Sequence, residues 1–245
     1  MRARELGIRI GELEPGPLDA ITDVAGVRVG HTTLVEGEAI RTGVTVVVPP
    51  ELPCFAAPFR LNGNGEMTGL EWVRESGLLT TQVAITNTHS VGVVRDALVA
   101  AAIEDGTDRW HLPVVAETFD GRLNDIAGMH VTREHVVAAL AAAAGGPVGE
   151  GSVGGGTGMI CHGFKGGIGT ASRVADGWTV GVLVQANHGR RARFEVLGAP
   201  VGREVDAPLP AGPEGEGTMT GKGGFTVHAL DADALLASLR RHGRL

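Results

Sequence analysis

The sequence lacks most of the features that would place it in a membrane, outside the cell or on a nucleic acid. Its two cysteines, Cys54 and Cys161, are well separated in 245 residues, which fits a reducing compartment better than a disulfide framework. No apolar run is long enough to span a bilayer, and residues 1–16 lack the apolar core of a secretory signal. The formal net charge of −7 disfavours a nucleic-acid or anionic-membrane footprint. We therefore expect a soluble cytoplasmic protein that binds neither nucleic acid nor membrane.

Glycine is concentrated in one stretch, residues 149–173, where ten of the 25 residues are glycine. Glycine loses the most backbone entropy on folding, so such a density indicates positive φ angles or a close backbone approach. Apolar Met159, Ile160 and Phe164 distinguish the stretch from a flexible linker. Two interpretations stay open: a turn that lets two layers pack closely, or the wall of an active site.

Familiar glycine-rich motifs do not account for this stretch. The G-x-G-x-x-G pattern of residues 149–154 follows an alanine-rich helical sequence, whereas a dinucleotide loop follows a strand. Lys165 is not part of the Gly-Lys-Ser/Thr ending of a phosphate-binding loop. Ser152 is not in a Gly-x-Ser-x-Gly elbow, because Glu150 stands where the first glycine is required.

The remaining pattern predicts an α/β fold with mixed strand pairing in a single domain over residues 1–245. Alternating and continuous β-branched runs predict strands, and periodic apolar segments with start and stop signals predict helices. The predicted strands are 41–50, 82–88, 113–117, 177–185, 194–201 and 225–229, with a hairpin over 21–30. The predicted helices are 68–76, 93–103, 132–145 and 232–241, and residues 206–224 form an exposed acidic loop.

Polar residues at the ends of predicted strands are the first candidates for chemistry: Asn87, Ser90, Asn124, Asp125 and Asn187. A rigidly held side-chain amide is suited to stabilising a developing oxyanion. Asn187 is favoured because the strand before it is the clearest in the chain. The alternative is an ordinary turn asparagine.

The nine histidines raise the question of a metal site. His130 and His135 flank Glu134, but the inverted zincin pattern His-x-x-Glu-His is one residue shorter. Five residues apart on a helix, the two rings also point to different faces. We expect separate structural roles for this pair and predict no metal and no cofactor.

Six segments resemble the DmpA-type peptidase family, the L-aminopeptidase/D-esterase group that includes the β-peptidyl aminopeptidases. They are ITDVAGVRVGHT at 21–32, RTGVT at 41–45, TNTHSVG at 86–92, FDGRLND at 119–125, GGTGMICHGFKGGIGT at 155–170 and GVLVQANHG at 181–189. The resemblance extends over roughly residues 4–205, and motifs this long and dense are specific.

The resemblance implies a four-layer αββα sandwich and a self-processing hydrolase of the N-terminal-nucleophile type. Family precursors cut themselves before a hydroxyl residue, whose freed α-amine, with a pKa of about 8, then acts as its base. Asn187 matches the family asparagine that stabilises the oxyanion, and the glycine run would line the substrate cleft. The resemblance also implies a homo-oligomer.

The chain departs from the family at the nucleophile. Aligned without a gap, that position falls on Gly223, and with a short insertion it falls on Thr218 after Gly217. Ser152 is an alternative on composition alone. Arg122 stands where family members carry a tyrosine, a residue type that this chain lacks. The sequence also stops before the family's last segment, a Gly-Ser-Gly-Asp/Glu-type motif.

These comparisons of residues predict an aminopeptidase or amidase that releases small N-terminal residues from short peptides, amides or esters. The predicted nucleophile and general base is Thr218, and the oxyanion donor is Asn187. The predicted substrate-binding residues are Arg122, Asn124, Gly155, Gly156, Thr157, Gly158 and Lys165. Three alternatives stay open: a catalytically silent paralogue that binds a small molecule, an incomplete copy of the enzyme, and acyl transfer as in the ornithine acetyltransferases.

Overall fold

A computed structural model describes residues 2–106, 110–210 and 228–245. Within these ranges the strands are β1 Arg28–Glu36, β2 Ile40–Val48, β3 Cys54–Phe55, β4 Leu78–Leu79, β5 Val83–Asn87, β6 Val114–Thr118, β7 Ile160–Cys161, β8 Phe164–Lys165, β9 Gly167–Ala175 and β10 Trp178–Ala186. The helices are α1 Leu70–Ser76, α2 Val91–Glu104, α3 Arg133–Ala141, α4 Val201–Glu204 and α5 Ala232–Arg241. None of these helices combines the length and the apolar character needed to cross a bilayer.

The largest sheet has the strand order β1–β2–β5–β6. β1 and β2 form a long hairpin in which Arg28 lies opposite Val48 and Glu36 opposite Ile40. β2 and β5 are also antiparallel, whereas β5 and β6 are parallel. Parallel neighbours need a crossover connection, and α2 provides it. The predicted mixed sheet is confirmed.

Both faces of the central strand β2 are covered. Successive side chains of a strand point to opposite faces, and each face of β2 packs against a different part of the chain. Val44 and Val46 are fully buried against α2 and α3, in a cluster with Ala84, Val91, Val94, Ala97, Leu98, Val115, Val131, Val136 and Ala139. Thr45, on the other face, accepts a hydrogen bond from the backbone N–H of Gly155 at 3.1 Å. A strand covered on both faces needs a continuous apolar or β-branched run, which residues 41–50 contain.

Gly154–Gly156, in the first half of the glycine run, lie between this sheet and the antiparallel hairpin β9–β10. A Cβ atom at Gly155 would be 2.7 Å from the carbonyl oxygen of Ile85 in β5 and 2.4 Å from Oε1 of Gln185 in β10. No side chain larger than glycine fits at such distances without a shift of one of the two layers. The interpretation of this run as a close-packing turn is therefore confirmed at Gly155.

The C-terminal helix α5 closes a second, smaller core. Its Leu235 and Leu239 are buried with Ile8, Phe164, Ala199, Val201 and Val205. Ser238 of α5 donates to Glu204 of α4 at 2.7 Å, and Arg241 donates to the same carboxylate at 2.8 Å. The helix predicted for residues 232–241 is confirmed, and the structure buries the side that carries Leu235 and Leu239.

Two of the predicted strands are wrong. Residues 21–30 do not form a hairpin of their own, because Ile21–Asp23 is a 3-10 turn and Arg28 belongs to β1, which pairs with β2. In the predicted strand 194–201, residues 196–199 form a tight turn closed by a bridge between Val196 and Ala199, and α4 begins at Val201. In both places turn geometry overrides β propensity.

β9 was not predicted, because Gly167 and Gly169 at its start continue the glycine run and mask its β pattern. Of the predicted strand 225–229, residues 225–227 lie outside the described residues, and residues 228 and 229 are not in a strand. Most of the predicted loop 206–224 also lies outside the described residues.

Candidate active site

Three segments converge on Asn187, which directly follows β10. These segments are the loop after β6, the end of β10 and the glycine run. The side-chain amide of Asn187 donates to the backbone carbonyl of Phe119 at 2.6 Å and lies 2.7 Å from the thioether sulfur of Met159. Because Met159 is fully buried, the amide is held at a fixed place between the loop and the glycine run.

Gln185 connects the end of β10 to the main sheet. Its Nε2 donates to the hydroxyl of Thr118 at 2.5 Å and reaches the carbonyl oxygen of Thr86 at 3.4 Å. The Thr118 hydroxyl in turn contacts the Met159 sulfur at 2.8 Å. The buried Oε1 of Gln185 has no hydrogen-bond partner among the described residues. These contacts fix the strand end from which Asn187 projects.

A buried polar network supports the loop after β6. Nδ2 of Asn124 donates to Oδ1 of Asp120 at 3.2 Å, and Oδ1 of Asn124 accepts from the backbone N–H of Arg41 at 3.1 Å. Nδ2 of Asn87 donates to the Thr42 hydroxyl at 2.8 Å. All four side chains of the network, those of Thr42, Asn87, Asp120 and Asn124, are almost completely buried. The loop is therefore anchored through side chains from β2 and β5.

Burial raises the pKa of Asp120 from 3.8 to about 6, although hydrogen bonds from Thr42, Asn124 and Asn87 act in the opposite direction. Desolvation disfavours the charged form of a carboxyl group. The geometry agrees, because Oδ2 of Asp120 makes no hydrogen bond within the part of the chain that the structure describes. Asp120 is thus a buried acid whose pKa lies well above the usual range of a carboxyl group.

The side chain of Lys165 binds the backbone of the glycine run to which it belongs. Its ammonium group donates to the carbonyl oxygens of Gly156 at 3.3 Å, Met159 at 2.9 Å and Gly166 at 3.0 Å. Burial lowers its pKa from 10.5 to about 8. In the same run the hydroxyl of Thr157 donates to the carbonyl of Gly154 at 2.6 Å. Both polar side chains therefore bind the backbone of the run in this structure.

The structure places the predicted site residues as follows. Asn187 contacts both the loop after β6 and the glycine run, Asn124 lies on that loop, and Lys165 lies in the run. Gly155, Gly156, Thr157 and Gly158 belong to the buried part of the run. Arg122 is exposed on the same loop. The predicted nucleophile Thr218 lies outside the described residues. The predicted roles of these residues in catalysis and substrate binding stay predictions.

Asp120, Met159 and Gln185 are absent from the predicted set, although each makes a contact that holds the site. Each stands inside a motif of the resemblance. Their sequence context does not distinguish a buried partner from a surface residue, because burial depends on segments far away in the chain. Asp120 lies next to Gly121, a pair that is typical of an exposed turn.

The histidine pair considered above has separate roles, as expected. Nε2 of His130 lies 3.2 Å from a carboxylate oxygen of Asp125, and Nδ1 of His135 accepts from the backbone N–H of Thr132 at 3.0 Å at the start of α3. In a different group, Cys161, His162 and His188, one potential ligand atom of each side chain lies within 4.8 Å of the other two.

Comparison with known proteins identifies the class of fold first. The structure superposes with a TM-score of 0.88 and 33% identity on the L-aminopeptidase D-Ala-esterase/amidase of Ochrobactrum anthropi, which is described as a variant of the Ntn hydrolase fold, over 100% of this chain and 99% of that chain. A β-aminopeptidase of Burkholderia sp. superposes with a TM-score of 0.83 and 61% identity, over 86% of this chain and 64% of that chain. The predicted α/β sandwich of the Ntn-hydrolase type is confirmed.

The family follows from the sequence match. Residues 19–242 match the family described as "Peptidase family S58", and the chain belongs to this family. The β-peptidyl aminopeptidase BapA of Sphingosinicella microcystinivorans is 48% identical over 98% of this chain and 67% of its own length. The β-peptidyl aminopeptidase BapA of Sphingosinicella xenopeptidilytica is 44% identical over 99% of this chain and 67% of its own length. The chain thus spans about two thirds of the length of these curated relatives.

Proposed function

We propose that this protein is an aminopeptidase or amidase that processes itself and then releases small N-terminal residues from short peptides, amides or esters. Membership of peptidase family S58 and the relatives named β-peptidyl aminopeptidases support the reaction class. These relatives do not favour a catalytically silent paralogue. The observation that carries the proposal is the position of Asn187, fixed at a strand end by Phe119 and Met159.

The contacts of Asn187 suit an oxyanion donor. A side-chain amide has two N–H donors, and here one faces a carbonyl oxygen and the other a thioether sulfur. Sulfur is a weak acceptor, so a change of partner from Met159 to a developing oxyanion costs little. A charged acceptor forms the stronger hydrogen bond. Asn187 would therefore bind the transition state better than the ground state, as catalysis requires.

In the proposed reaction, the hydroxyl of Thr218 attacks the scissile carbonyl while its own neutral α-amine accepts the hydroxyl proton. The tetrahedral intermediate places its oxyanion at Asn187 and collapses to an ester as the amine leaves with the proton. Water then attacks the ester and frees the hydroxyl. The α-amine exists only after cleavage of the bond between Gly217 and Thr218, so self-processing precedes turnover.

Turnover of β-alanine dipeptides and alanine p-nitroanilide tests the oxyanion assignment. We expect Asn187→Ala to lower kcat by about 10²–10³-fold, the usual effect of removing an oxyanion donor. Asn62→Ala, in an exposed turn, is the control and should leave kcat unchanged. Equal activity of the Asn187 variant and the wild type would refute the assignment.

Intact mass under denaturing conditions tests the nucleophile. We expect two polypeptides, the smaller beginning at Thr218, and a single unbroken chain in Thr218→Ala. Thr220→Ala, two residues away, is the matched control and should still be cleaved. A cut before Ser152 would transfer the nucleophile to the glycine run, and an unbroken wild-type chain would contradict self-processing.

The same proposal includes the single-domain organisation and the cytoplasmic location predicted from the sequence, and the homo-oligomer that the resemblance implies. Sedimentation analysis of the purified protein tests the oligomer: one species with the mass of a single chain would contradict it.

A further inference from the structure

Cys161, His162 and His188 form a cluster beside the candidate active site. Cys161 ends β7, His162 follows it in the turn to β8, and His188 lies two residues beyond β10. One potential ligand atom from each side chain lies within 4.8 Å of the other two. The two imidazole rings meet edge to face, with their centroids 4.9 Å apart.

The backbone around the cluster holds the two segments together without using the three side chains. The N–H of His162 donates to the carbonyl of His188 at 2.6 Å. Arg191 donates to the carbonyl oxygens of His162 at 3.1 Å and Gly163 at 2.6 Å, and its guanidinium lies 3.6 Å from the centre of the Phe164 ring. The main-chain positions of the three residues are therefore set in advance.

The ring of His162 is also fixed. It lies against Gly189, where a Cβ atom would be 2.2 Å from the ring, and its centroid is 5.1 Å from that of Phe194. Nδ1 of His162 lies 3.2 Å from the carbonyl oxygen of Arg190. The tautomer protonated on Nδ1 donates to this carbonyl and leaves a lone pair on Nε2. A backbone partner of this kind commonly orients a metal-binding histidine.

The donor set selects the class of ion. One thiolate and two imidazoles suit Zn²⁺ and related late transition metals, and they do not suit Mg²⁺ or Ca²⁺, which prefer oxygen. In a tetrahedral zinc site, with Zn–N bonds of about 2.0 Å and a Zn–S bond of about 2.3 Å, the ligand atoms are roughly 3.3–3.6 Å apart. Separations of up to 4.8 Å therefore have to shorten by up to about 1.5 Å to reach the zinc spacing, and the exposed His188 has the freedom to move inward.

We infer that Cys161, His162 and His188 form a binding site for one Zn²⁺-class cation. The site supplies three protein ligands and leaves a fourth position for water or an external ligand, as in zinc sites that are not purely structural. Binding replaces the proton of the Cys161 thiol with the metal, so affinity falls as the pH falls. The inference does not depend on the proposed aminopeptidase activity.

Titration of the tag-free protein with Co²⁺ tests the site, because thiolate-bound Co²⁺ has a charge-transfer band in the near ultraviolet and tetrahedral Co²⁺ absorbs strongly in the visible. We expect saturation at one Co²⁺ per chain and loss of both signals on addition of one equivalent of Zn²⁺. Cys161→Ser should abolish the charge-transfer band. His188→Ala should weaken binding at least about tenfold, the scale of losses at metal sites.

Cys54→Ser and His242→Ala are the matched controls, since neither residue belongs to the cluster, and both variants should retain the stoichiometry and the band. His188→Ala changes an exposed side chain, so a folded variant is expected; circular dichroism verifies it. Absence of saturable one-to-one binding, or a charge-transfer band that persists in Cys161→Ser, would overturn the inference. Loss of the band in Cys54→Ser instead would place the thiolate ligand elsewhere and equally overturn it.

Discussion

Asp120→Asn is expected to change how the stability of the protein depends on pH. The pKa of Asp120 rises from 3.8 to about 6 on burial, so the folded chain holds this proton to a higher pH than the unfolded chain does. Between about pH 4 and pH 6 folding therefore takes up a proton, and the free energy of unfolding of the wild type falls as the pH rises. A shift of about two pH units corresponds to about 3 kcal/mol. Asp120→Asn has no titrating group at this position, so its free energy of unfolding does not fall in this way.

Urea denaturation followed by circular dichroism at pH 4, 5, 6 and 7 measures the effect. The unfolding free energy of Asp120→Asn, relative to the wild type, should rise by about 2–3 kcal/mol between pH 4 and pH 7. The control is Asp96→Asn, whose carboxylate is 78% exposed on α2, and its difference from the wild type should stay within about 0.5 kcal/mol. A difference for Asp120→Asn that is flat with pH would refute the view of this carboxyl group as a desolvated acid.

Two further predictions concern the glycine run. Gly155→Ala should lower the free energy of unfolding by about 1–3 kcal/mol, because its Cβ would overlap Ile85 and Gln185. The control Gly169→Ala, with nothing within 4 Å of the added carbon, should be neutral or slightly stabilising. Equal losses in the two variants would contradict close packing at Gly155. The pKa of Lys165 is lowered to about 8, so the wild type should gain stability relative to Lys165→Gln as the pH rises from about 8 to 10.5. The raised pKa of Cys54 makes the free energy of unfolding fall over the same pH range, so Cys54→Ser is introduced into both the reference protein and the Lys165→Gln variant. Stability profiles of the two proteins that stay parallel with pH would disprove the desolvation of Lys165.

Sequence patterns alone predict most of the elements and the candidate donor. The β-branched run at residues 41–50 predicts β2 because only a strand covered on both faces has no polar side. Gly77 predicts the end of α1, and its φ of +71° is the left-handed conformation that glycine provides at a helix end. Asn187 is identified because it follows the clearest strand in the chain. These are local signals that adjacent residues carry.

The tertiary structure alone decided which polar groups are buried and which distant residues meet. Asp120 looks like a turn residue in the sequence, and only packing against β2 and β5 makes it a buried acid next to Asn124. Met159 and Gln185 become partners of Thr118, at the end of β6, because the hairpin β9–β10 packs against Gly154–Gly156. Cys161 and His188 are brought together by the bond between His162 and His188. Burial and partnership depend on contacts between segments far apart in the chain, and the sequence of one segment does not specify which other segment will cover it.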